Sequence, residues 1–254
     1  MRRTERQTAI LQALSKNGSV SVADLSGDLS VSGETIRRDI KSLSNAGMLR
    51  RTHGGAMQPN PFEEPGFHQR LAENPIAKKA IARVAADLVH DGDSIMIDTG
   101  STTAYLARAL LNHRDLLIVT NSVDIARTLA TRRGNRVYMA GGELRADDGA
   151  SLGQSAAEFV RQFRVRLSII SIGAIDEDDG LMDFHLNEAE LSRAIIGRAE
   201  NAIVVADHSK FDRRGVVRVC GFDRISTLIT DQPPPPHYIG MMGKAGTEII
   251  VAGE

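Results

Sequence analysis

The sequence predicts a mixed α/β protein in two parts, a small helical N-terminal domain and a larger, doubly wound α/β domain. Three observations support this prediction. The first residues carry short amphipathic helix patterns, the remainder alternates aliphatic strands with helices, and the charge changes sign between the two parts. Residues 1 to 57 hold nine Lys and Arg against five acids, whereas the rest holds 22 against 27.

The composition excludes several classes of protein. With 254 residues, 42% hydrophobic and 25% charged, the chain is globular and has room for one or two domains. No apolar run approaches the roughly 20 residues of a membrane-spanning helix, and the N-terminal MRRTERQ is polar. We therefore expect a cytoplasmic protein without membrane contact. The single cysteine, Cys220, fits a reducing compartment.

Three short helices are predicted within residues 1 to 57. The first follows a capping-box pattern at Thr4 and Gln7, and the second opens at Ser21 and Asp24. Ser32 can cap the third. Only the short segment LSVSG separates the second helix from the third, which is the spacing of a helix-turn-helix.

The third helix has one apolar stripe and one charged face. Ile36, Ile40 and Leu43 recur at helical spacing, so they are expected to pack on the first two helices. The charged face is then free to enter the major groove of DNA. The residues expected to contact DNA from this helix are Ser32, Glu34, Thr35, Arg37, Arg38 and Lys41. The alternative is an ordinary solvated face of an amphipathic helix.

A β-hairpin is predicted after the third helix. Gly47 is expected to end the helix, and MLRRTHGGA then gives a short strand and a glycine turn, which suits the wing of a winged helix. Arg50, Arg51 and His53 are expected to contact DNA. Guanidinium groups here and on the third helix can fork onto phosphates or onto guanine O6 and N7.

These motifs together resemble a known signature. S-x-x-T-I-R-R-D-I followed by L-x-x-x-G-x-L-x-R-x-H-G-G-A is similar to the DNA-binding region of the DeoR family of bacterial repressors. The resemblance implies a winged helix-turn-helix that binds double-stranded operator DNA. One small winged helix buries too little surface for tight specific binding, so we expect a homodimer or homotetramer. A protein-binding module is the alternative, but the arginines favour DNA.

Residues 58 to 75 contain four of the eight prolines and little periodicity, which predicts a linker. A second domain is expected over 76 to 254. Pro75 can open its first helix, whose expected apolar face is Ile76, Ala80, Ile81, Val84 and Leu88. The following strands are SIMID, LLIVT, RVYMAGG, LSIISIGA, AIVVAD and ISTLITD. They are aliphatic nearly throughout, as in a parallel sheet, which predicts a ligand site at their carboxyl ends.

The first candidate motif at a strand end is DTGSTTA, Asp98 to Ala104. Gly100 permits a tight turn, and residues 101–103 can offer hydroxyl and N–H groups to a phosphate at a helix N-terminus. The alternative is an ordinary helix cap. Neither a Walker A loop nor G-x-G-x-x-G is present, so no nucleotide cofactor is expected.

Further candidates follow other strands. Asn121 could bind a sugar hydroxyl or cap a helix, and Gly142 could admit a ligand or make a turn. Lys210, beside Asp207, could bind a phosphate dianion or form a surface salt bridge. The expected effector-binding set is Asp98, Gly100, Ser101, Thr102, Thr103, Asn121, Gly142, Asp207 and Lys210. The histidines lack the spacing of a metal site, so no metal is expected.

The second domain resembles the effector domain of the same family, which is similar to the phosphosugar-binding fold of ribose-5-phosphate isomerase. Segments such as ALLNH, DGASLG and TDQPPPP resemble the glycerol-3-phosphate branch, which implies a repressor released from DNA by glycerol 3-phosphate. Asn187 and Ala189 depart from that branch, where His and Val are typical, so other sugar phosphates stay open.

An isomerase-like enzyme is the remaining alternative. A carboxylate base from Asp98 or Asp207, with Lys210 as the electrophile, could move a proton beside a carbonyl. Two features of the sequence argue against this alternative. Turnover needs no winged helix, and the glycine-rich lysine loop typical of the isomerases is not recognisable.

Overall fold

The chain divides into two compact units, Met1–Pro65 and Gly66–Glu254, of which the computed structural model describes residues 2–45, 48–58 and 63–253. The first unit contains the helices α1 (Arg3–Asn17), α2 (Val22–Asp28) and α3 (Gly33–Asn45). Its strands are β1 (Ser19–Ser21), β2 (Arg50–Arg51) and β3 (Gly55–Met57). They form an antiparallel sheet in the order β1-β3-β2, which confirms the predicted winged helix-turn-helix.

The three helices enclose a small apolar core. Ile36, Ile40 and Leu43 of α3 are at most 4% exposed, as their spacing predicted. They belong to the same buried cluster as Ile10 and Leu14 of α1. Burial of this stripe leaves the opposite face of α3 to solvent.

Two of the predicted helix caps are present. The Oγ of Ser21 accepts a hydrogen bond of 3.0 Å from the backbone N–H of Asp24, at the start of α2. The Oγ of Ser32 accepts one of 3.3 Å from the N–H of Thr35, at the start of α3. Each cap provides an acceptor for a backbone N–H that has no partner inside the helix.

The predicted cap of the first helix is wrong. Helix α1 begins at Arg3, so Thr4 lies inside it. The backbone N–H of Arg2 donates instead to Oε2 of Glu5 at 3.0 Å, and this carboxylate takes the place of the predicted Gln7. The prediction that Gly47 ends α3 lies outside the described residues.

Strand β1 was not predicted, and its pairing explains the glycine turn. A Cβ at Gly55 would lie 1.9 Å from the backbone oxygen of Val20, so only glycine lets β3 approach β1 this closely. The N–H of Thr52 donates to the oxygen of Gly55 at 3.0 Å and closes the hairpin between β2 and β3.

The second unit is built on a seven-stranded parallel sheet. Its strands are β4 (Ser94–Ile97), β5 (Leu117–Thr120), β6 (Arg136–Met139), β7 (Val165–Ser171), β10 (Ala199–Val205), β12 (Thr227–Thr230) and β13 (Glu248–Val251). They lie in the order β13-β12-β10-β7-β4-β5-β6. A separate antiparallel sheet holds β8 (Ala174–Asp176), β9 (Gly180–Asp183) and β11 (Val217–Cys220).

Helices cover both faces of the parallel sheet. In chain order they are α4 (Phe67–Ala72), α5 (Pro75–Asp87), α6 (Ser101–Ala109), α7 (Val123–Leu129), α8 (Gln154–Arg161), α9 (Leu186–Ile196) and α10 (Pro236–Ala245). Met96 of β4 points into a core with α8, α9 and α10, whereas its neighbours Ile95 and Ile97 point into a core with α5, α6 and α7. This alternation confirms the doubly wound fold.

The structure differs from the predicted linker in its second half. Residues Phe67–Ala72 form α4, a helix too short to show a clear apolar period in the sequence. The predicted apolar face of α5 is also partly wrong, because Ile76 is 84% exposed and Lys78 is only 2% exposed. Lys78 can occupy the buried face because its ammonium group donates to the backbone oxygen of Arg70.

Four strands of the second unit were not predicted, namely β8, β9, β11 and β13. The turn between β8 and β9 carries the acidic sequence DEDD, which is typical of a loop and hides the two short strands.

Among the described residues, no helix is long and apolar enough to cross a membrane.

Candidate functional site

The exposed face of α3 carries two arginines that are weakly paired. The side chains of Arg37 and Arg38 are 63% and 80% exposed, and each lies 3.7 Å from a carboxylate oxygen of Glu34. Ion pairs this exposed contribute little free energy, so phosphate groups can displace Glu34 from both guanidiniums. Thr35, also predicted to contact DNA, is half-buried, and Lys41 is exposed on the same helix.

Asp39 lies beside these arginines in the sequence but has a structural role that was not predicted. It is 2% exposed and accepts a hydrogen bond from Nε of Arg6, while Nε of Arg3 lies 3.8 Å away. Arg3 also donates to Oγ of Ser42 at 2.8 Å. These contacts fix α3 against α1 and set the orientation of its exposed face.

The wing residues that were predicted to contact DNA differ in their pairing. Arg50 binds both carboxylate oxygens of Glu63, at 2.9 and 2.7 Å, whereas Arg51 and His53 are exposed. Ser32 serves as the cap of α3, and its Oγ lies 2.9 Å from Oγ1 of Thr35. The assignment of all these residues to DNA contact stays a prediction.

In the second unit, Asp98 joins the two strands at which the chain order of the sheet reverses. Its Oδ1 accepts from the N–H of Ser171 at 3.0 Å and its Oδ2 from the hydroxyl of Ser171 at 3.2 Å, which links β4 to β7. Burial raises the pKa of Asp98 to about 8. Ligands of open α/β sheets bind at this reversal point, where the uncharged acid would not repel an anion.

Helix α6 begins directly at this point without a side-chain cap. The first N–H groups of a helix have no acceptor inside it, so those of residues 101–103 are free to bind an anion. Ser101, Thr102 and Thr103 are all buried. The hydroxyl of Thr103 already donates to the backbone oxygen of Asp98 at 2.9 Å, so it serves the loop itself.

Asn121 and Gly142 have structural roles. Oδ1 of Asn121 accepts from the N–H of Thr99 at 2.9 Å, and its Nδ2 donates to the oxygen of Ser151 at 3.1 Å. It therefore ties together the loops that follow β4 and β6. Gly142 is exposed and has a φ of 136°, a conformation that favours glycine.

Asp207 organises the turn that carries Lys210. Its Oδ1 accepts from the N–H and the hydroxyl of Ser209, at 3.1 and 2.5 Å. Burial raises the pKa of Asp207, but the hydrogen bond from Ser209 and the charges of Lys210 and Lys78 outweigh it, so the pKa is lowered. Lys210 is 9% exposed. It follows β10 at the same sheet edge as α6.

Several residues of this edge were missed by sequence reasoning. Lys78 lies 4.0 Å from Oδ2 of Asp207, and burial lowers its pKa to about 8. Arg145 binds Asp148 and Glu188, each at 2.5 Å. The sequence did contain a signal for these residues. Lys78 is a charged residue inside a mostly apolar segment, and Arg145 is one that follows a pair of glycines. No group of metal-ligating residues occurs within the described ranges.

Comparison with known proteins identifies two family regions. The DeoR-like helix-turn-helix domain matches residues 6–62, and the DeoR C-terminal sensor domain matches residues 73–232. The solved structure of ribose 5-phosphate isomerase A from Methanocaldococcus jannaschii matches 55% of each chain, with a TM-score of 0.40 and 18% identity. That likeness is too distant to support an argument about function.

Curated relatives match nearly the whole chain. The glycerol-3-phosphate regulon repressor of Escherichia coli K12 is 38% identical over 235 residues, 92% of this chain and 93% of that protein. The HTH-type transcriptional repressor CsqR of the same strain is 36% identical over 249 residues, 98% and 95% of the two chains. The repressor GlcR of Bacillus subtilis 168 is 31% identical over 252 residues, 99% and 97%. All three relatives are named as repressors, which favours the repressor prediction over the isomerase alternative. The chain belongs to the DeoR family of transcriptional repressors.

Proposed function

We propose that this repressor binds operator DNA through α3 and the wing and that a phosphorylated polyol or sugar releases it. Glycerol 3-phosphate is the first candidate effector, because the chain matches a repressor of that regulon over 92% of its length. The relationship between α6 and Lys210 carries the proposal. An uncapped helix N-terminus and a buried lysine lie at one edge of the sheet, and both features favour the binding of a phosphate dianion.

The DNA-binding half of the proposal rests on the exposed face of α3. Arg37 and Arg38 project away from the buried stripe, and Arg51 of the wing is exposed. Two copies of the unit in a dimer or tetramer would contact two half-sites about one helical turn apart. This assembly would supply the interface area that one winged helix lacks.

The proposed coupling of effector binding to operator affinity rests on the start of the second unit. Helix α4 is held by the loop after β6, where Oδ2 of Asp147 accepts from the N–H of Phe67 at 2.6 Å, and by α6, where the hydroxyl of Tyr105 donates to the oxygen of Leu71 at 3.1 Å. Lys78 connects α5 to Asp207. An effector can change operator affinity only by binding two arrangements of the protein with different affinity, and α4 with the start of α5 is the proposed element that differs.

The test is operator affinity at fixed salt, with DNA from upstream of the protein's own operon and a panel of phosphorylated polyols and sugars. We expect glycerol 3-phosphate to weaken binding, and Lys210→Ala to bind the operator normally while responding less to the effector. Relief by another sugar phosphate would move the effector within the same mechanism. Absence of DNA binding, or normal induction of Lys210→Ala, would contradict the corresponding half of the proposal.

A further inference from the structure

A group of three charged side chains lies where the loop after β6 meets the start of α9. Arg145 donates from Nε and Nη2 to the two carboxylate oxygens of Asp148, at 2.9 and 2.5 Å. Its Nη1 lies 2.5 Å from Oε1 of Glu188. Two carboxylates share one guanidinium, so the group carries net negative charge.

One oxygen of this group has no partner. The side chain of Glu188 is 15% exposed, and its Oε2 is buried without a hydrogen bond among the described residues. The hydroxyl oxygen of Thr99, in the loop after β4, is in the same condition. The loop after β6, which holds Arg145, is joined to the loop that holds Thr99 through Asn121, whose Oδ1 accepts from the N–H of Thr99 at 2.9 Å and whose Nδ2 donates to the oxygen of Ser151 at 3.1 Å. A buried acceptor without a donor is costly, and a ligand hydroxyl would supply the missing donor.

We propose that Glu188 selects the uncharged, hydroxyl-bearing end of the effector, so that the site accepts monophosphates of polyols and sugars and rejects compounds with a second anionic group. The inference rests on the proposed function, in which the phosphate binds at the N-terminus of α6 and at Lys210. Because Oε2 accepts no hydrogen bond from the described residues, a ligand hydroxyl that donates to it would displace no protein donor. A carboxylate or second phosphate would meet a carboxylate there.

Arg145 does not offset this exclusion. Its Nε and both Nη atoms already contact Asp148 and Glu188, so its single positive charge is shared between two protein carboxylates before any ligand anion arrives. The proposed effector site is therefore asymmetric in charge. Its lysine end favours an anion, whereas the end at Glu188 favours a hydroxyl donor.

The experiment compares matched compounds by titration calorimetry on the full chain. The pairs are glycerol 3-phosphate with 3-phosphoglycerate, glucose 6-phosphate with 6-phosphogluconate, and fructose 6-phosphate with fructose 1,6-bisphosphate. We expect the protein to bind the hydroxylated monophosphate of its preferred pair at least about tenfold more tightly than the doubly anionic partner. Glu188→Gln should reduce this ratio at least about threefold by removing the repulsion.

Two further variants make the result specific. Glu190→Gln removes the same charge from an exposed position two residues along α9 and should keep the ratio. Glu188→Asp keeps the charge and should still reject the second anion, although it binds the hydroxylated compound less tightly. This variant also tests the proposal if Glu188→Gln fails to fold, as thermal unfolding would reveal.

Equal binding of both members of every pair, or an unchanged ratio in Glu188→Gln, would overturn the inference and leave the proposed function standing. A loss of discrimination in Glu188→Asp as large as that in Glu188→Gln would also overturn it, since charge would then not be the cause. Failure of every phosphorylated compound to bind would overturn the proposed function, and this inference with it.

Discussion

Nδ2 of Asn74 lies 3.0 Å from Oδ1 of Asp207 and donates a hydrogen bond to it across 133 positions of the chain. Asn74 precedes α5 in a left-handed conformation with a φ of 47°, and Asp207 caps the turn that carries Lys210. The start of α5 is thereby fixed by the same carboxylate that organises the proposed phosphate-binding lysine.

Loss of this hydrogen bond should weaken the coupling between effector binding and operator binding. Asn74→Gly tolerates the left-handed backbone and removes only the side chain. We expect operator affinity without effector to persist, while the ratio of operator affinities without and with effector falls at least about threefold. Fluorescence anisotropy with labelled operator measures both affinities. An unchanged ratio would exclude this hydrogen bond from the coupling route.

Arg38→Ala should weaken operator binding and leave effector binding intact, because its side chain is 80% exposed on α3. A contact to a guanine edge would cost about 1–3 kcal/mol of binding free energy, whereas a phosphate contact would lower the salt slope by about one. Lys16→Ala, which removes one positive charge at the end of α1, is the control. Equal effects of the two changes would indicate a general loss of charge.

Asp39→Ala should destabilise the first unit, because it leaves the guanidinium of Arg6 without its buried carboxylate partner. We expect the Tm of that unit to fall by roughly 5 °C or more. Glu34→Ala, at an exposed position of the same helix, should leave the Tm nearly unchanged. Calorimetric scans of both variants make the comparison, and similar scans would refute the structural role of Asp39.

Gly100→Ala should impair the effector site, because a Cβ there would lie 1.9 Å from Oγ of Ser171. Overpacking of this kind typically costs about 1–3 kcal/mol of stability, and here it would also separate β4 from β7 at the start of α6. Gly141→Ala is the matched control, since its Cβ would meet nothing within 4 Å. Chemical unfolding and effector titration should both distinguish the two variants.

Asp98 should make stability depend on pH. Its pKa rises from 3.8 to about 8 on folding, so the folded state keeps a proton that the unfolded state releases. This contribution is complete below the unfolded pKa and is lost as the pH rises through about 8. Asp98→Asn does not titrate. Relative to this variant, the free energy of unfolding of the unchanged protein should fall by several kcal/mol between pH 5 and 8. Parallel urea-unfolding curves across this range would contradict the assignment.

Local patterns in the sequence were sufficient for much of the fold. Ser21 and Ser32 cap helices because the acceptor and the N–H lie three residues apart, and the period of Ile36 and Ile40 follows from helix geometry alone. The parallel sheet could also be predicted locally, because the aliphatic composition of each strand is visible within that strand alone. Each of these properties depends on residues within a few turns of one another.

Partners distant in the sequence account for what was missed. Lys78 occupies a buried position only because Asp207 and the oxygen of Arg70 lie beside it, and no periodicity shows such partners. Glu188 lies between Asn187 and Ala189, the two departures from the related branch, yet its proposed role depends on a contact with Arg145 in another loop. The sequence predicted that Asp98 and Lys210 follow strands of one sheet, as they do, but it did not predict the contacts of Lys78, Arg145 and Glu188.

The division between strands and loops has a consequence for divergence. Side chains of the strands fill the two cores. In contrast, α6 begins after the end of a strand, and the segments that follow other strands hold Lys210, Arg145 and Glu188. Substitutions in those segments can change ligand chemistry without altering core volume. A duplicated copy of such a gene could therefore acquire a new metabolite signal through a few changes, while the free energy that holds the domain together is conserved.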